Sequence, residues 1–406
     1  MIQPLHQFLE HHIIGAMTNN TKRGEKKKMR KKTLLPFGLL LALMAQVLLV
    51  TGASAAPTTA QWTFMIYVCA DNNLESSWAP NLVKLESIGS TTSVHFVALV
   101  DLMSTQTVEL MHIEQGSHTV VATWPEQDMG DAAVAINFVN TAKSLYPASK
   151  YLLDFWDHGN GWDYFCFDET ANDWLDVPKL SQIMHSVGFI DIVGFDACDM
   201  AQAEVYYELI GHSSYVVGSE ESIPLIGWPY DTNAQDLVNN PSQDARTYAT
   251  ELVVNYGQLY SSLKGYGAET FSSIDVNQIT ALTTAFTTWT TTMQANLNQY
   301  KSRYTSALRN SKKMVGTTYY VDMYDYMNKL LAQSIPATLV TATQNLKTAI
   351  TNAVIANWYG KKQSNIYGLT FYWAKTSQWA SARPYYLAVT WGQTTGWTNF
   401  LDAYCA

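Results

Sequence analysis

Apolar residues fall into two rhythms that alternate along the chain from about residue 60. Short β-branched and aromatic runs cover 62–70, 94–102, 151–156, 190–195 and 215–218. Each is strand-length and is followed within a few residues by Gly, Asp, Asn or Ser, the pattern of a buried strand. Between them lie stretches of helical spacing: 73–87; 131–145, with Val134, Phe138, Val139, Ala142 and Leu145 on one face; and 176–188, with Leu180, Ile183, Met184 and Val187 on one face. Asp176 stands where an N-cap belongs, Pro178 falls in the first turn and Gly188 is the stop. A further helix is predicted from about Ala201 to Ile210, ending at Gly211, and 108–113 with 119–123 predict an edge hairpin around Gly116. Alternating strand and helix means βαβ units, hence an α/β fold with a parallel sheet. Crossovers of this kind are right-handed, so the strands deliver their C-terminal ends to one edge. From Tyr230 onward the sequence is helical and threonine-rich, with 266–274 and 366–373 as the best later strands and no internal repeat. The aromatics Trp358, Trp373 and Trp379 read as core packing rather than as a ligand surface.

Chemistry concentrates where two of these strands end. The run 151–156 stops at Asp157-His158-Gly159-Asn160-Gly161, and 190–195 leads into Asp196-Ala197-Cys198. A single βαβ unit joins them and can bring His158 and Cys198 together. An imidazole beside a thiol removes its proton or favours the thiolate, the requirement for a cysteine nucleophile. Gly159 lets the backbone approach a substrate carbonyl, so its N–H and that of Cys198 could form an oxyanion hole. Asp196, two residues before the cysteine, shares its side of the strand if the extended conformation persists. Its carboxylate would then sit beside the residue preceding the scissile bond and favour Arg, then Lys. The competing role for Asp196 is capping the following helix, for which Asp199 is better placed. Glu220 and Glu221 follow the strand at 215–218 and face either the site or solvent.

The segments Trp156-Asp157-His158-Gly159-Asn160-Gly161-Trp162 and Gly194-Phe195-Asp196-Ala197-Cys198-Asp199-Met200 resemble the two signature motifs of the clostripain family of cysteine peptidases. The resemblance continues in Tyr67 to Glu75, in Ser219-Glu220-Glu221 with Pro224, Gly227, Trp228 and Tyr230, and in Trp391 to Trp397. It implies a caspase-like α/β/α sandwich with a mostly parallel central sheet and helical C-terminal additions. It also implies endopeptidase activity through His158 and Cys198 on peptide or protein substrates, with Asp196 serving basic residues. Asp199 departs from the family pattern, which has leucine after the cysteine. No metal is required for this chemistry. The resemblance brings in Ca²⁺ as a structural ion, and Asp163, Asp168, Glu169, Asp173 and Asp176 crowd the loop after the histidine, off the EF-hand spacing.

Residues 1–55 read differently from the rest. A basic run at 26–32 precedes an apolar stretch at 34–50 and Ala53-Ser54-Ala55, the layout of a secretory signal peptide cut before Ala56, with Met17 or Met29 as alternative starts. The apolar stretch is short and interrupted for a spanning helix, which needs about 20 residues. The expected product is a secreted domain from 56 to 406, with 231–406 its helix-rich part. Retention of the segment would instead leave it at the cell surface. The full chain carries 25 basic and 34 acidic residues; losing eight and two of them leaves 17 and 32, a formal charge of −15. Such acidity argues against nucleic acid and steers cationic peptides inward. The cysteines, Cys69, Cys166, Cys198 and Cys405, show no C-x-x-C spacing and too low a density for a disulfide scaffold. Two rivals remain from sequence: a non-catalytic surface binding protein on the same fold, and a cysteine amidase or transpeptidase sharing the dyad.

Overall fold

The computed structural model describes residues 59–314 and 319–406. The expected signal segment lies outside them. In chain order the elements are β1 (Ala60–Ala70), α1 (Glu75–Ile88), β2 (Val94–Leu102), β3 (Thr107–Glu114), β4 (Ser117–Pro125), α2 (Ala132–Leu145), β5 (Ala148–Trp156), β6 (Phe165–Asp168), β7 (Asp173–Leu175), α3 (Val177–Ser186), β8 (Ile190–Asp196), α4 (Ala203–Tyr207) and β9 (Ser213–Gly218). There follow α5 (Tyr230–Asn239), α6 (Ala245–Ser262), β10 (Thr270–Asp275), α7 (Ile279–Ala295), α8 (Leu297–Asn310), β11 (Tyr320–Asp322), α9 (Met323–Leu331), α10 (Ala337–Ala353), β12 (Val354–Tyr359), β13 (Thr370–Tyr372), α11 (Thr376–Tyr386), α12 (Thr390–Thr394) and α13 (Trp397–Cys405).

Nine strands form one sheet in the order β12-β10-β9-β8-β5-β1-β2-β3-β4. The five in the middle, β9 through β2, run parallel, and antiparallel pairs close both flanks. Both faces are covered, so β1 is apolar on both sides. Met65, Tyr67 and Cys69 pack with Phe138 of α2 and Leu180 of α3. Trp62, Phe64, Ile66 and Val68 pack with Trp78 of α1 and Leu252 of α6. A continuously apolar strand is what a sheet buried on both faces demands. The result is the expected α/β/α layering. The C-terminal helices add to the first face, where Phe286 of α7, Leu339 of α10 and Phe400 of α13 join the same core.

Register aligns the edge that matters. Val68 pairs with Trp156, and Trp156 with Asp196, so β1, β5 and β8 reach the same row together before their chains turn out of the sheet. Between β5 and β8, α3 begins as expected, with the Asp176 carboxylate accepting the Lys179 N–H at 2.9 Å.

Several expectations from sequence change. The helix predicted at 201–210 contracts to α4, with Gln202 rather than Asp199 at its N-cap position. Asp199 instead adopts φ +62° and caps nothing. The chain from 199 to 201 stays out of the helix because it is bonded to 219–221: Asp199 N–H donates to Glu221 O, and Ala201 N–H to Ser219 O. The strand at 366–373 narrows to β13, which pairs with β11 outside the main sheet, and the edge strand β12 carried no clear signal. Trp373 and Trp379 are buried, and Trp358 lies against Gly257 and the Tyr256 ring, so packing is their role.

Gly194 in β8 is held to glycine by its surroundings. A Cβ there would fall 2.6 Å from a Trp228 ring carbon and 3.1 Å from Asp154 Oδ1. Gly194→Ala should lose about 1–3 kcal/mol, the usual cost of overpacking, read as a lower urea midpoint at unchanged slope.

Candidate active site

Beyond the shared row, β1 turns into Asp71-Asn72-Asn73, β5 into Asp157-His158-Gly159 and β8 into Ala197-Cys198-Asp199. The closest approach is main chain to main chain. A Cβ on Gly159 would sit 2.5 Å from Cys198 O, 3.1 Å from Cys198 N and 3.0 Å from Ala197 Cβ. Only glycine lets the histidine loop lie flat on the cysteine peptide. The loop is tied from behind, with Asn160 N–H donating to Tyr164 O at 2.8 Å and Cys166 N–H to His158 O at 3.1 Å. Asp157 is buried beneath it and accepts from Asn72 Nδ2 at 2.8 Å and from Phe167 N–H at 2.5 Å.

His158 Nε2 lies 2.7 Å from Asn73 Oδ1. An amide oxygen only accepts, so Nε2 carries the proton and Nδ1 keeps its lone pair. Burial lowers the basicity of the ring, favouring this neutral, proton-accepting form. Cys198 Sγ accepts the Ile223 N–H at 3.3 Å and faces Ile223 O at 3.8 Å. Burial, then the Asp199 carboxyl, push the thiol up to about 12 against the help of Ile223 and Ser222. Asp199 is itself buried with Oδ1 unpartnered, and burial together with Glu221 holds its carboxyl well above the usual range. Burial is the larger of the two effects that keep the sulfur protonated, and Asp199 the smaller. Both shifts favour the uncharged form, of the thiol and of the imidazole alike.

Asp196 lies inside a wall formed by 226–230. Its Oδ2 accepts the Trp228 N–H and the Tyr230 hydroxyl, each at 3.0 Å. The same hydroxyl lies 2.7 Å from Asp154 Oδ2. One hydroxyl proton cannot serve two carboxylates, so one acid must bring its own. Burial and the Asp196 charge hold the Asp154 carboxyl well above its usual range. Burial raises Asp196 to about 7, with Trp228, Tyr230 and Lys84 pulling it down. Lys84 Nζ donates to Asn81 Oδ1 at 2.9 Å and to Ile226 O at 3.0 Å, bracing the wall from α1.

Glu220 and Glu221, expected to face either the site or solvent, are both buried. Glu220 accepts the Gly368 N–H at 2.5 Å, and Glu221 meets Lys312 Nζ at 3.1 Å and Gln363 Nε2 at 3.0 Å. Pairing of 219–221 with 199–201 turns these side chains toward the C-terminal part of the chain. The acidic loop also disperses: Asp173 pairs with Lys179, Asp176 caps α3, Asp163 accepts from Asn160 and Glu169 is exposed. Asp168 alone points inward, where it joins Asp71, Asp101 and Glu126. Burial, Glu126, Asp168 and Asp71 raise Asp101 to about 8. Sequence reasoning missed Asn73, Ile223 and Glu126. Asn73 had a signal, since it follows a strand on the same edge; the other two had none.

A sequence profile of the clostripain family matches residues 66–404. Clostripain of Hathewaya histolytica is 26% identical over 204 residues, which cover 41% of this chain and 39% of that protein. The chain thus spans well under half the length of that curated relative. Two solved structures share the fold. A secreted C11 cysteine protease from Bacteroides thetaiotaomicron, in complex with an irreversible peptide inhibitor, superposes with a TM-score of 0.67 at 22% identity over 83% of this chain and 99% of that one. An inactive zymogen C11 protease from Parabacteroides distasonis gives 0.68 at 19% identity, over 84% and 99%.

The raised thiol has a kinetic signature. Alkylation of Cys198 by iodoacetamide, without substrate, should climb steadily from about pH 6 to about pH 9, by up to tenfold per unit, because only the thiolate reacts. A flat rate over that range, with the reagent trapped on Cys198, would mean a preformed thiolate–imidazolium pair.

Proposed function

The chain belongs to the clostripain family of cysteine peptidases, and from that premise we propose that it is a secreted endopeptidase using His158 and Cys198 to cut after Arg or Lys. The observation that carries the reading is the contact between the Gly159 and Cys198 main chains, which leaves the peptide N–H groups of both free of other backbone partners among the described residues. Two such donors beside a thiol suit the oxyanion of a tetrahedral intermediate.

Substrate displaces the Ile223 main chain from the sulfur. His158 Nδ1 takes the Sγ proton as the sulfur attacks the scissile carbonyl carbon, and the carbonyl π electrons move onto oxygen. The oxyanion sits between the N–H groups of Gly159 and Cys198. As the intermediate collapses, the C–N bond breaks and the imidazolium gives its proton to the leaving amine. Water, deprotonated by His158, then attacks the thioester, and the thiolate leaves and recovers the proton. Asn73 holds the ring through both halves. Glu220 and Glu221 touch no substrate in this scheme; they anchor the strand end beside the cysteine.

Asp196 gives the preference for basic residues. Its charge is buried and pre-oriented by Trp228 and Tyr230, and a guanidinium meets a carboxylate with two parallel hydrogen bonds, where an ammonium offers a point contact. Export follows from residues 1–55, and the Bacteroides thetaiotaomicron relative, described as secreted and bound to a peptide inhibitor, supports it.

Cys198→Ala should abolish turnover, and His158→Ala should lower kcat/KM by about 100-fold or more. Ordinary activity in either variant, measured on a fluorogenic peptide, would remove that residue from the mechanism. In a peptide library the enzyme should prefer Arg, then Lys, before the cut. Asp196→Asn should flatten that preference while Cys198 still alkylates. Equal cleavage after apolar or acidic residues by the unaltered enzyme would overturn the pocket assignment and leave the dyad standing.

A further inference from the structure

We propose that Cys69 and Cys166 close a disulfide in the exported protein, and that the bridge clamps the end of β1 to the strand backing the histidine loop. All four cysteines are thiols in this structure, and these two meet side chain to side chain. Cys198 Sγ instead faces the Ile223 main chain, and Cys405 Sγ the Ala374 carbonyl. Cys69 and Cys166 are each 0% exposed and share the core that α2 and α3 cover. Their main chains are also held together. The Asn72 amide donates to Cys69 O at 3.1 Å and to Phe167 O at 2.8 Å, so one side chain spans both strands at this point.

The backbone of β6 is bent to make the meeting. Phe165 pairs with Leu175 and Phe167 with Trp174, which leaves Cys166 as the extra residue of a β-bulge. Its φ of +53° is a left-handed conformation that a cysteine takes only where the surroundings impose it. Regular alternation would put Cys166 on the opposite face from Phe165, yet both reach the same core. The bulge is what turns the sulfur toward β1.

Burial decides when the bridge forms. A thiol deep in the core keeps its proton and is closed to an oxidant, so the exchange runs while the chain folds. The thiolate of one cysteine attacks a sulfur of a low-molecular-weight disulfide and displaces one thiolate of that reagent. The thiolate of the other cysteine then attacks the mixed disulfide and displaces the second. The two cysteines lose two electrons and two protons, and the reagent becomes two thiols. The inference rests on the exported reading for the compartment that supplies the oxidant, and a redox poise set in vitro separates the two.

The position links the bridge to the chemistry. Cys69 precedes the turn that carries Asn73, and the Cys166 N–H donates to His158 O at 3.1 Å. A covalent tie here joins the two sides of the contact between Asn73 and His158 without touching a reacting atom, so both cysteines act as positioning residues. It also closes a loop of roughly 100 residues, and long loops restrict the unfolded chain most.

The full secreted chain carrying Cys198→Ala keeps Cys69, Cys166 and Cys405 and tests the bridge without reference to turnover. Made by cell-free synthesis in a glutathione buffer rich in the oxidised form, then alkylated in denaturant and digested with trypsin, it should show a single free thiol, Cys405. Mass spectrometry should find the peptide ending at Lys84 linked to the peptide 151–179. The linked protein should melt about 5 °C or more above the same chain made with reductant. Cys405→Ser should keep the link and the gap in Tm, and Cys69→Ala should remove both. Free thiols at both Cys69 and Cys166 in the oxidised preparation, or a bridge that uses Cys405, would overturn the proposal. An equal Tm with and without the link would overturn the clamp.

Discussion

The main chains of Gly159 and Cys198 lie so close that no β-carbon fits between them, and the rest of the site follows from that contact. It exists because β5 and β8 are adjacent parallel strands in a register that ends both at one row, Trp156 beside Asp196. Two residues beyond the row, one chain supplies a histidine and the other a cysteine. A slip of one residue would turn both side chains to opposite faces, and the buried pattern of β5 and β8 forbids it.

The same edge is crowded with buried acids, and the fold neutralises them in different ways. Asp154 and Asp196 share the Tyr230 hydroxyl, and burial raises both carboxyls, so the pair resists carrying two charges. Burial raises the carboxyls of Glu220 and Asp322, and the proximity of Asp322 raises Glu220 further, so this pair too resists carrying two charges. Glu221 has a lysine. Asp157 is satisfied by an amide and a peptide N–H. Against these, Asp71 and Asp101 stand apart, because neither forms an ion pair with a basic side chain among the described residues.

A thiol held neutral by burial also bears on control of the chemistry. The sulfur's nearest donor is the Ile223 N–H, in the segment that leads to the wall around Asp196. A substrate that fills this wall and moves Ile223 therefore acts on the sulfur as well, and binding and activation share one piece of backbone.

The sequence by itself determined the alternation of strands and helices, the cap and stop of α3, and the arrival of His158 and Cys198 on one edge. Those features rest on local periodicity, capping and the handedness of a single crossover, all written within short windows. The tertiary structure decided the rest. Asn73 reaches His158 across 85 residues, and Ile223 reaches Cys198 across 25. Glu220 and Glu221 read equally as site or solvated residues until the bonding of 199–201 to 219–221, which accompanies a shortened α4, shows both buried. The acidic loop after the histidine reads from sequence first as a solvated loop and second as an ion site, and only Asp168 of that loop enters the carboxylate cluster. Its companions come from three other segments, and no local pattern marks a carboxylate whose neighbours are chosen by strand order.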